Sequence, residues 1–369
     1  MAGSTAVETS NRVRFDAGEV TGATGDSVTV LPIVVALAVT TRVSLPHALL
    51  FFGVFQVVWG LRYGLPISVE PMKALAGLAI AGGLTYGELL GAGLLAGVVL
   101  LALAATGTLS RVESWIGTPV IRGVQLAVAL ILLRMGVELA LGAPGAAAGG
   151  VGIAAVAIAA GYRRASALVV LGVGVAVALL SAGLPSVSVP ALGVFPRGGP
   201  AFTAGSVAGA LAQLAMTVGN AAVATALLFE DLLDADVSVD DLAGSMGGMC
   251  LLSIPFGGIP MCHGSGGLAG KYAFGARTGG ANVVLGGGYL LAALVAGGGL
   301  LAAFPMALLG VLLALIAVPL GDAARESDAL LLTVGVGVLG LLVGVGVAFL
   351  VGATAHWVLG RWFRIGFAR

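Results

Sequence analysis

Charge is scarce in this chain. Asp, Glu, Lys and Arg make up 9% of its 369 residues, against about 25% in an ordinary soluble domain. The 17 basic and 17 acidic residues cancel. That leaves no electrostatic footprint for DNA or RNA, so a nucleic-acid partner is excluded. A neutral surface this apolar would not stay in solution. Cysteine is nearly missing. Cys250 and Cys262 sit in apolar surroundings and give neither a disulfide framework nor a zinc pattern. Both are expected to be buried free thiols, and no metal or cofactor is expected. Aromatic residues reach 6%, little for stacking a planar ligand. No polar stretch is long enough for a soluble catalytic domain, so the chain does not read as an enzyme.

What is abundant is apolar surface, 59% of residues, and glycine, 61 of them. A helix crosses the hydrocarbon core with about 20 residues, which leaves room for roughly 12–14 spans. Apolar segments fall at 24–41, 46–62, 67–83, 86–107, 117–141, 148–161, 165–183, 202–229, 239–257, 260–277, 279–301, 303–320, 327–345 and 346–361. Small residues let membrane helices approach closely. Gly335, Gly337, Gly340, Gly344 and Gly346 read as such a packing stripe. Residues 1–18 are polar and read as a cytoplasmic tail, not a signal peptide.

Two segments are short and begin with proline: Gly64-Leu65-Pro66-Ile67-Ser68-Val69-Glu70-Pro71, and Gly258-Ile259-Pro260-Met261-Cys262-His263-Gly264-Ser265. Proline cannot donate to a helical ladder and pushes its predecessor extended. Each segment is therefore predicted to be an extended lead-in followed by a half-helix. Gly64-Leu65-Pro66 and Gly258-Ile259-Pro260 lie 194 residues apart, as do Gly25-Asp26 and Gly219-Asn220, while Leu75-Ala76-Gly77 and Leu268-Ala269-Gly270 lie 193 apart. This shared offset predicts two halves of seven spans. An odd number per half makes the repeats inverted, and inverted repeats with paired broken helices mark secondary transporters. The expected division is a tail at 1–18, a first repeat at 19–183, a linker at 184–200 and a second repeat at 201–369, with no soluble regulatory domain.

With an even number of spans both termini share a side. Placing that side in the cytoplasm puts Arg12, Arg14, Arg62, Arg111, Arg163, Arg164, Arg277, Arg325, Arg361, Arg364 and Arg369 inside and only Arg42 and Arg197 outside. The acidic run Glu230, Asp231, Asp234, Asp236, Asp240 and Asp241 reads as a solvated connector rather than a metal site.

Ionisable groups inside spans face a cavity or a partner. Here they are Asp26, Glu70, Lys73, Arg122, His263 and Lys271. Gln213, Thr217 and Asn220 share one helix face by spacing, suited to lining a cavity or bonding a neighbour. Two half-helix N-termini meeting near the midplane present unpaired N–H groups to an anion. Ser68 and Ser265 add hydroxyls, Gly264, Gly266 and Gly267 allow close backbone approach, and Lys73 adds a charge. A small tetrahedral oxyanion suits such donors. Glu70 conflicts with an anion there. Either Lys73 neutralises it, or it is protonated when substrate binds, which would couple uptake to protons; Asp26 is the other carboxylate available for coupling.

At these residues the chain resembles a known family. Ile67-Ser68-Val69-Glu70-Pro71-Met72-Lys73 and the run Met261-Cys262-His263-Gly264-Ser265-Gly266-Gly267-Leu268-Ala269-Gly270-Lys271-Tyr272-Ala273-Phe274-Gly275-Ala276-Arg277 are similar to two signatures of the molybdate transporter family, relatives of the SulP sulfate permeases. Gly22-Ala23-Thr24-Gly25-Asp26 and Thr118-Pro119-Val120-Ile121-Arg122-Gly123-Val124-Gln125 resemble its motifs too. Glu70 departs from the family pattern, where glutamine is usual. The resemblance implies an all-α polytopic membrane protein of about 14 segments in 7+7 inverted repeats, with a core domain moving against a gate domain. It places substrate at Ser68, Pro71, Met72, Lys73, His263, Gly264, Ser265 and Gly266, faced by Gln213, Thr217 and Asn220. The function expected is proton-coupled transport of an oxyanion, molybdate before sulfate, across the cell membrane, with a homodimer possible. The alternatives are a nucleobase permease of the same architecture, an anion channel, or a membrane hydrolase using Ser265 with His47, His263 or His356.

Overall fold

The computed structural model describes residues 13–109, 111, 116–163 and 165–366. Most of the tail, Arg12, Arg164, Arg369 and the side chains of Asn220, Arg361 and Arg364 lie outside the described residues. The chain is mostly helical. Its helices are α1 (Ala17–Thr40), α2 (Leu45–Tyr63), α3 (Lys73–Ile80), α4 (Tyr86–Thr106), α5 (Thr118–Leu141), α6 (Pro144–Ala159), α7 (Ser166–Ala182) and α8 (Ala204–Leu233). They continue with α9 (Val239–Ser253), α10 (Ser265–Ala273), α11 (Gly280–Val295), α12 (Met306–Asp322), α13 (Leu330–Val343) and α14 (Val345–Gly366). Each predicted apolar segment holds one of them. Six are long and apolar enough to cross a membrane unaided by length and composition.

The two proline-led segments are extended stretches followed by half-helices. β1 (Glu70–Pro71) pairs antiparallel with β2 (Met261–Cys262), with Glu70 opposite Cys262 and Pro71 opposite Met261. Met72 N–H donates to the Pro260 carbonyl, 3.0 Å away, and extends the pairing. α3 and α10 follow directly, with 8 and 9 residues. At about 1.5 Å per residue each reaches less than half of a core about 30 Å thick. Gly82 (φ 73°) and Gly275 (φ 111°) turn the chain just beyond them in a conformation that favours glycine.

Contacts sort the helices into two groups. In the first, α2 packs along α11, α4 along α9, α1 along α10, and α8 against α3 and α4. In the second, α5 packs along α12 and α13, with α6, α7 and α14 completing the layer. Glycines meet backbone to backbone at several helix crossings. A Cβ on Gly136 of α5 would lie 2.7 Å from the Gly310 carbonyl oxygen of α12, and one on Gly310 would lie 2.5 Å from the Gly136 oxygen. Gly53 and Gly286 make the same approach between α2 and α11. The expected stripe at 335–346 is interrupted. Gly337 and Gly340 admit Leu126 and Ala127 of α5 and Gly346 admits Ala208 of α8, but Gly344 (φ 103°) breaks the helix between α13 and α14.

Three further details refine the sequence reading. α1 starts at Ala17 rather than 24, because Asp16 caps it by accepting the Glu19 N–H (3.1 Å). The residues at 184–200 form an extended strap tied to neighbouring helix ends. Ser188 N–H donates to the Leu294 carbonyl (2.9 Å), and Phe195 N–H to that of Pro255 (2.7 Å). His47 Nε2 lies 3.0 Å from the Ala191 carbonyl. In the acidic run, Asp240 and Asp241 fall in the first turn of α9, where carboxylates favour the helix dipole.

Glu19 is buried at the base of the first group. Its Oε1 accepts from Arg277 N–H (3.1 Å), Thr278 N–H (2.8 Å) and Thr278 Oγ1 (2.9 Å), and its Oε2 from Ala281 N–H (3.1 Å). One carboxylate thus caps α11 and ties it to α1. Glu19→Ala leaves several buried donors without partners, at about 1–3 kcal/mol for each such group. We expect it to lower the thermal midpoint of the purified protein by an amount equivalent to about 3 kcal/mol. An unchanged midpoint would show that the cap contributes nothing.

Candidate functional site

The site is built where the extended stretches leading into α3 and α10 cross. Glu70 leaves β1 fully buried, and its carboxylate reaches the first turn of α10. Oε1 accepts from Gly267 N–H (2.9 Å) and lies 3.1 Å from Ser68 Oγ, and Oε2 is ion-paired with Lys73 at the start of α3. Gly267 must be glycine, because a Cβ there would overlap Ser68 Oγ, Asp26 Oδ1 and Glu70 Oε1. The N-terminus of α3 is occupied as well. Gln213 Oε1, from α8, accepts from Ala74 N–H (2.9 Å) and Leu75 N–H (3.4 Å). Its Nε2 donates to Thr217 Oγ1 at 2.9 Å, so these two predicted face-mates do share a face. Beyond them the regular pattern stops, since Thr217–Val223 is a π-helical turn. Such turns inside α-helices are frequent at functional sites.

Both half-helix ends therefore point at oxygen acceptors supplied by other elements. Glu70, Lys73, Gln213, His263 and Gly264 line a small cavity between them, together with Met216, Ala221 and Cys262. Its volume is about 10 Å³, about that of one water site. The site is contracted around its own side chains. Lys73 carries the one ammonium among the described lining residues, and 16% of its side chain is exposed. Ser265 is half-buried and Gly266 exposed at the rim; Pro71 and Met72 are buried behind, in the strand pairing and the cap of α3.

His263 is held at both ring nitrogens. Nδ1 lies 2.8 Å from the Ser68 carbonyl, which only accepts, so Nδ1 carries a proton. Nε2 lies 2.6 Å from Ser245 Oγ. The ring thus braces the stretch leading into α3 against α9, with Trp59 and Tyr63 edge-on to it. His47 is engaged elsewhere, by Ser44 Oγ (2.7 Å) and the Ala191 carbonyl. Both cysteines are buried, with Cys250 Sγ 3.2 Å from the Met261 carbonyl and Cys262 Sγ 3.8 Å from that of Pro71.

Asp26 and Lys271 sit one layer deeper, joined by residues that the sequence reading did not single out. Asp26 accepts from Ser68 Oγ (2.6 Å) and Gln56 Nε2 (2.7 Å) and pairs with Lys271 Nζ (3.2 Å). Ser68 has one hydroxyl proton, and the shorter bond gives it to Asp26 rather than to Glu70. Gln56 and Asn282 complete the network; the available signal was a lone amide in each of two otherwise apolar spans. Arg122 is not part of the site. It pairs with Glu326 and donates to Gln125 Oε1 (3.0 Å) at the start of α5.

A family model described as "Molybdate transporter of MFS superfamily" matches residues 18–132 and 205–320. Molybdate transporter 2 of Arabidopsis thaliana is 32% identical, over 84% of this chain and 79% of that protein. Molybdate transporter 1 of the same plant is 32% identical, over 85% of this chain and 81% of that protein. Among solved structures, the transmembrane domain of a cyanobacterium bicarbonate transporter, BicA, superposes with a TM-score of 0.65 at 18% identity, covering 90% of this chain and 96% of that one. The murine anion transporter Slc26a9 in its inward-facing state gives 0.66 at 13% identity, covering 95% and 69%. These likenesses establish a shared transmembrane fold.

Proposed function

This chain belongs to the molybdate transporter family, and from that premise we propose that it carries a tetrahedral oxyanion, molybdate before sulfate, across the cell membrane by alternating access. The observation that supports this most is the meeting of two half-helix N-termini around Lys73, with Glu70 and Gln213 held on their donors. An incoming dianion replaces the Glu70 carboxylate at Gly267 N–H and Lys73, and replaces the Gln213 amide at Ala74 N–H. Ser265 and Gly266 meet the anion from the rim, and Thr217 and Asn220 belong to the facing wall.

Glu70 is then the proton carrier. Around it stand Lys73, Ser68, the Gly267 N–H, Asp26 through Ser68, and Cys262 across the strand pair. Asp26, matched by Lys271 and Gln56, is the other carboxylate available for coupling. A carboxylate displaced by a dianion loses its ammonium partner, and a proton replaces that lost charge. Uptake is expected to rise as pH falls in the wild type. Glu70→Gln keeps an acceptor for Gly267 N–H but removes the competing charge. We expect it to bind molybdate at neutral pH about tenfold tighter or more, a change of about 1.4 kcal/mol per factor of ten, and to lose the pH dependence. Calorimetry with molybdate, sulfate and uracil at two pH values tests substrate and coupling together. Uracil binding alone would transfer the site to the nucleobase reading, and pH-independent uptake unaltered by Glu70→Gln would remove the coupling role.

The helix pairings support two inverted repeats. Offsetting every helix by seven exchanges the α2–α11 pair with α9–α4 and the α1–α10 pair with α8–α3, and maps α5–α12 onto itself. The first repeat is 19–183 and the second 201–369, joined by the 184–200 strap, with both termini cytoplasmic. The first helix group acts as core and the second as gate. Rocking between them opens the contracted cavity, and the π-helical turn of α8 is placed to absorb the change. A homodimer is the assembly to test by cross-linking.

A further inference from the structure

Lys271 ends in a cage of oxygens. It projects from the last turn of α10, where the helix dipole favours a cation, and it is fully buried. Its Nζ lies 2.6 Å from the Ile67 carbonyl, 2.9 Å from Gln56 Oε1, 3.1 Å from Asn282 Oδ1 and 3.2 Å from Asp26 Oδ2. These four oxygens come from four separate segments: the stretch leading into α3, α2, α11 and α1. An ammonium has three protons, so four acceptors surround it in the manner of a coordination shell. All four atoms only accept, which leaves no donor for the lone pair of a neutral amine. The amide orientations fit this arrangement: Asn282 Nδ2 donates to Gln56 Oε1 and the Ile67 carbonyl, both 2.7 Å away, which leaves Asn282 Oδ1 facing the ammonium, and Gln56 Nε2 donates to Asp26 Oδ2 (2.7 Å), which leaves Gln56 Oε1 to accept from both Asn282 and Lys271.

We propose that the Lys271 ammonium is a built-in monovalent cation. It holds the position that a dissolved ammonium or alkali-metal ion would take if the side chain were shorter. The carrier then needs no inorganic cation at the crossing of its half-helices, and removing the side chain opens a cation site of one carboxylate and three carbonyl oxygens. The inference rests on the oxygen cage and not on which anion is carried.

The test uses the purified full chain, and its first arm needs no substrate. The thermal midpoints of wild type, Lys271→Ala and Lys271→Met are measured with ammonium, methylammonium, potassium or sodium salts, against N-methylglucamine salt at equal ionic strength. A ligand that binds the folded state raises its midpoint in a saturable way. Lys271→Ala is expected to melt several degrees below wild type in N-methylglucamine and to recover at least half of that loss with ammonium or potassium. Wild type should respond to none of the small cations, and Lys271→Met, whose thioether fills the cage, should not respond either. A folded Lys271→Ala that no small cation stabilises overturns the proposal. If that variant does not fold, wild-type uptake decides. Full uptake with all alkali cations replaced by N-methylglucamine supports the built-in cation, and loss of uptake rejects it.

Discussion

Gly267→Ala is expected to reduce oxyanion binding more than 100-fold and to bring uptake to background. The new Cβ would meet Ser68 Oγ, Asp26 Oδ1 and Glu70 Oε1 at once. None of the three is the free end of a long side chain. Asp26 is fixed by Gln56 and Lys271, Ser68 is short and bonded to Asp26, and Glu70 is paired with Lys73. The relief available is for α10 to withdraw from the strand pair, which separates the two donor ends. Inserting one methyl into a packed site costs about 1–3 kcal/mol, so the variant should fold with a lowered midpoint. Gly266→Ala is the stability control, because a Cβ there meets nothing within 4 Å and its midpoint should stay at or slightly above wild type. Equal midpoints for the two variants, with binding retained in Gly267→Ala, would mean that the approach at Gly267 is not tight.

Lys73→Met should abolish molybdate binding and destabilise the protein, and the two effects can be separated. The substitution leaves the buried Glu70 carboxylate without its counter-charge. Breaking such a pair from one side costs about 3–5 kcal/mol, and the partial exposure of Lys73 favours the lower end. Adding Glu70→Gln removes the orphaned charge. The double variant should therefore regain most of the lost stability while still failing to bind molybdate, since the cavity then holds no ammonium. In a double-mutant cycle the coupling in stability should reach about 2 kcal/mol. Retained affinity in Lys73→Met would mean that backbone donors alone hold the anion.

The architecture was legible because its signals are local. Proline lacks an N–H wherever it stands, so Pro66 and Pro260 announce a break, and α3 and α10 begin where the chain leaves the extended stretches that follow, at Lys73 and Ser265. Apolar length gave the remaining helices. The site was half legible. Glu70 and Lys73 stand three residues apart, and they pair across the junction of β1 and α3. Glu19 was missed because a lone carboxylate beside a polar tail looks solvated, while its partners Thr278 and Ala281 lie about 260 positions along the chain. The environment of Lys271 is likewise assembled from four distant segments. The π-helical turn of α8 leaves no mark in a reading based on α-helical periods.

The Glu70 carboxylate seated on Gly267 N–H and Lys73 has a consequence for leak. A tethered group competes at a fixed effective concentration, and no change in the surroundings dilutes it. A monovalent anion such as chloride, abundant on both sides of a membrane, would exchange one negative charge for another and gain nothing by binding. A dianion brings twice the charge to the same donors and can win even when scarce. The internal carboxylate thus acts as a threshold. On the proposed function, that threshold favours a dianion over a common monovalent anion at these donors.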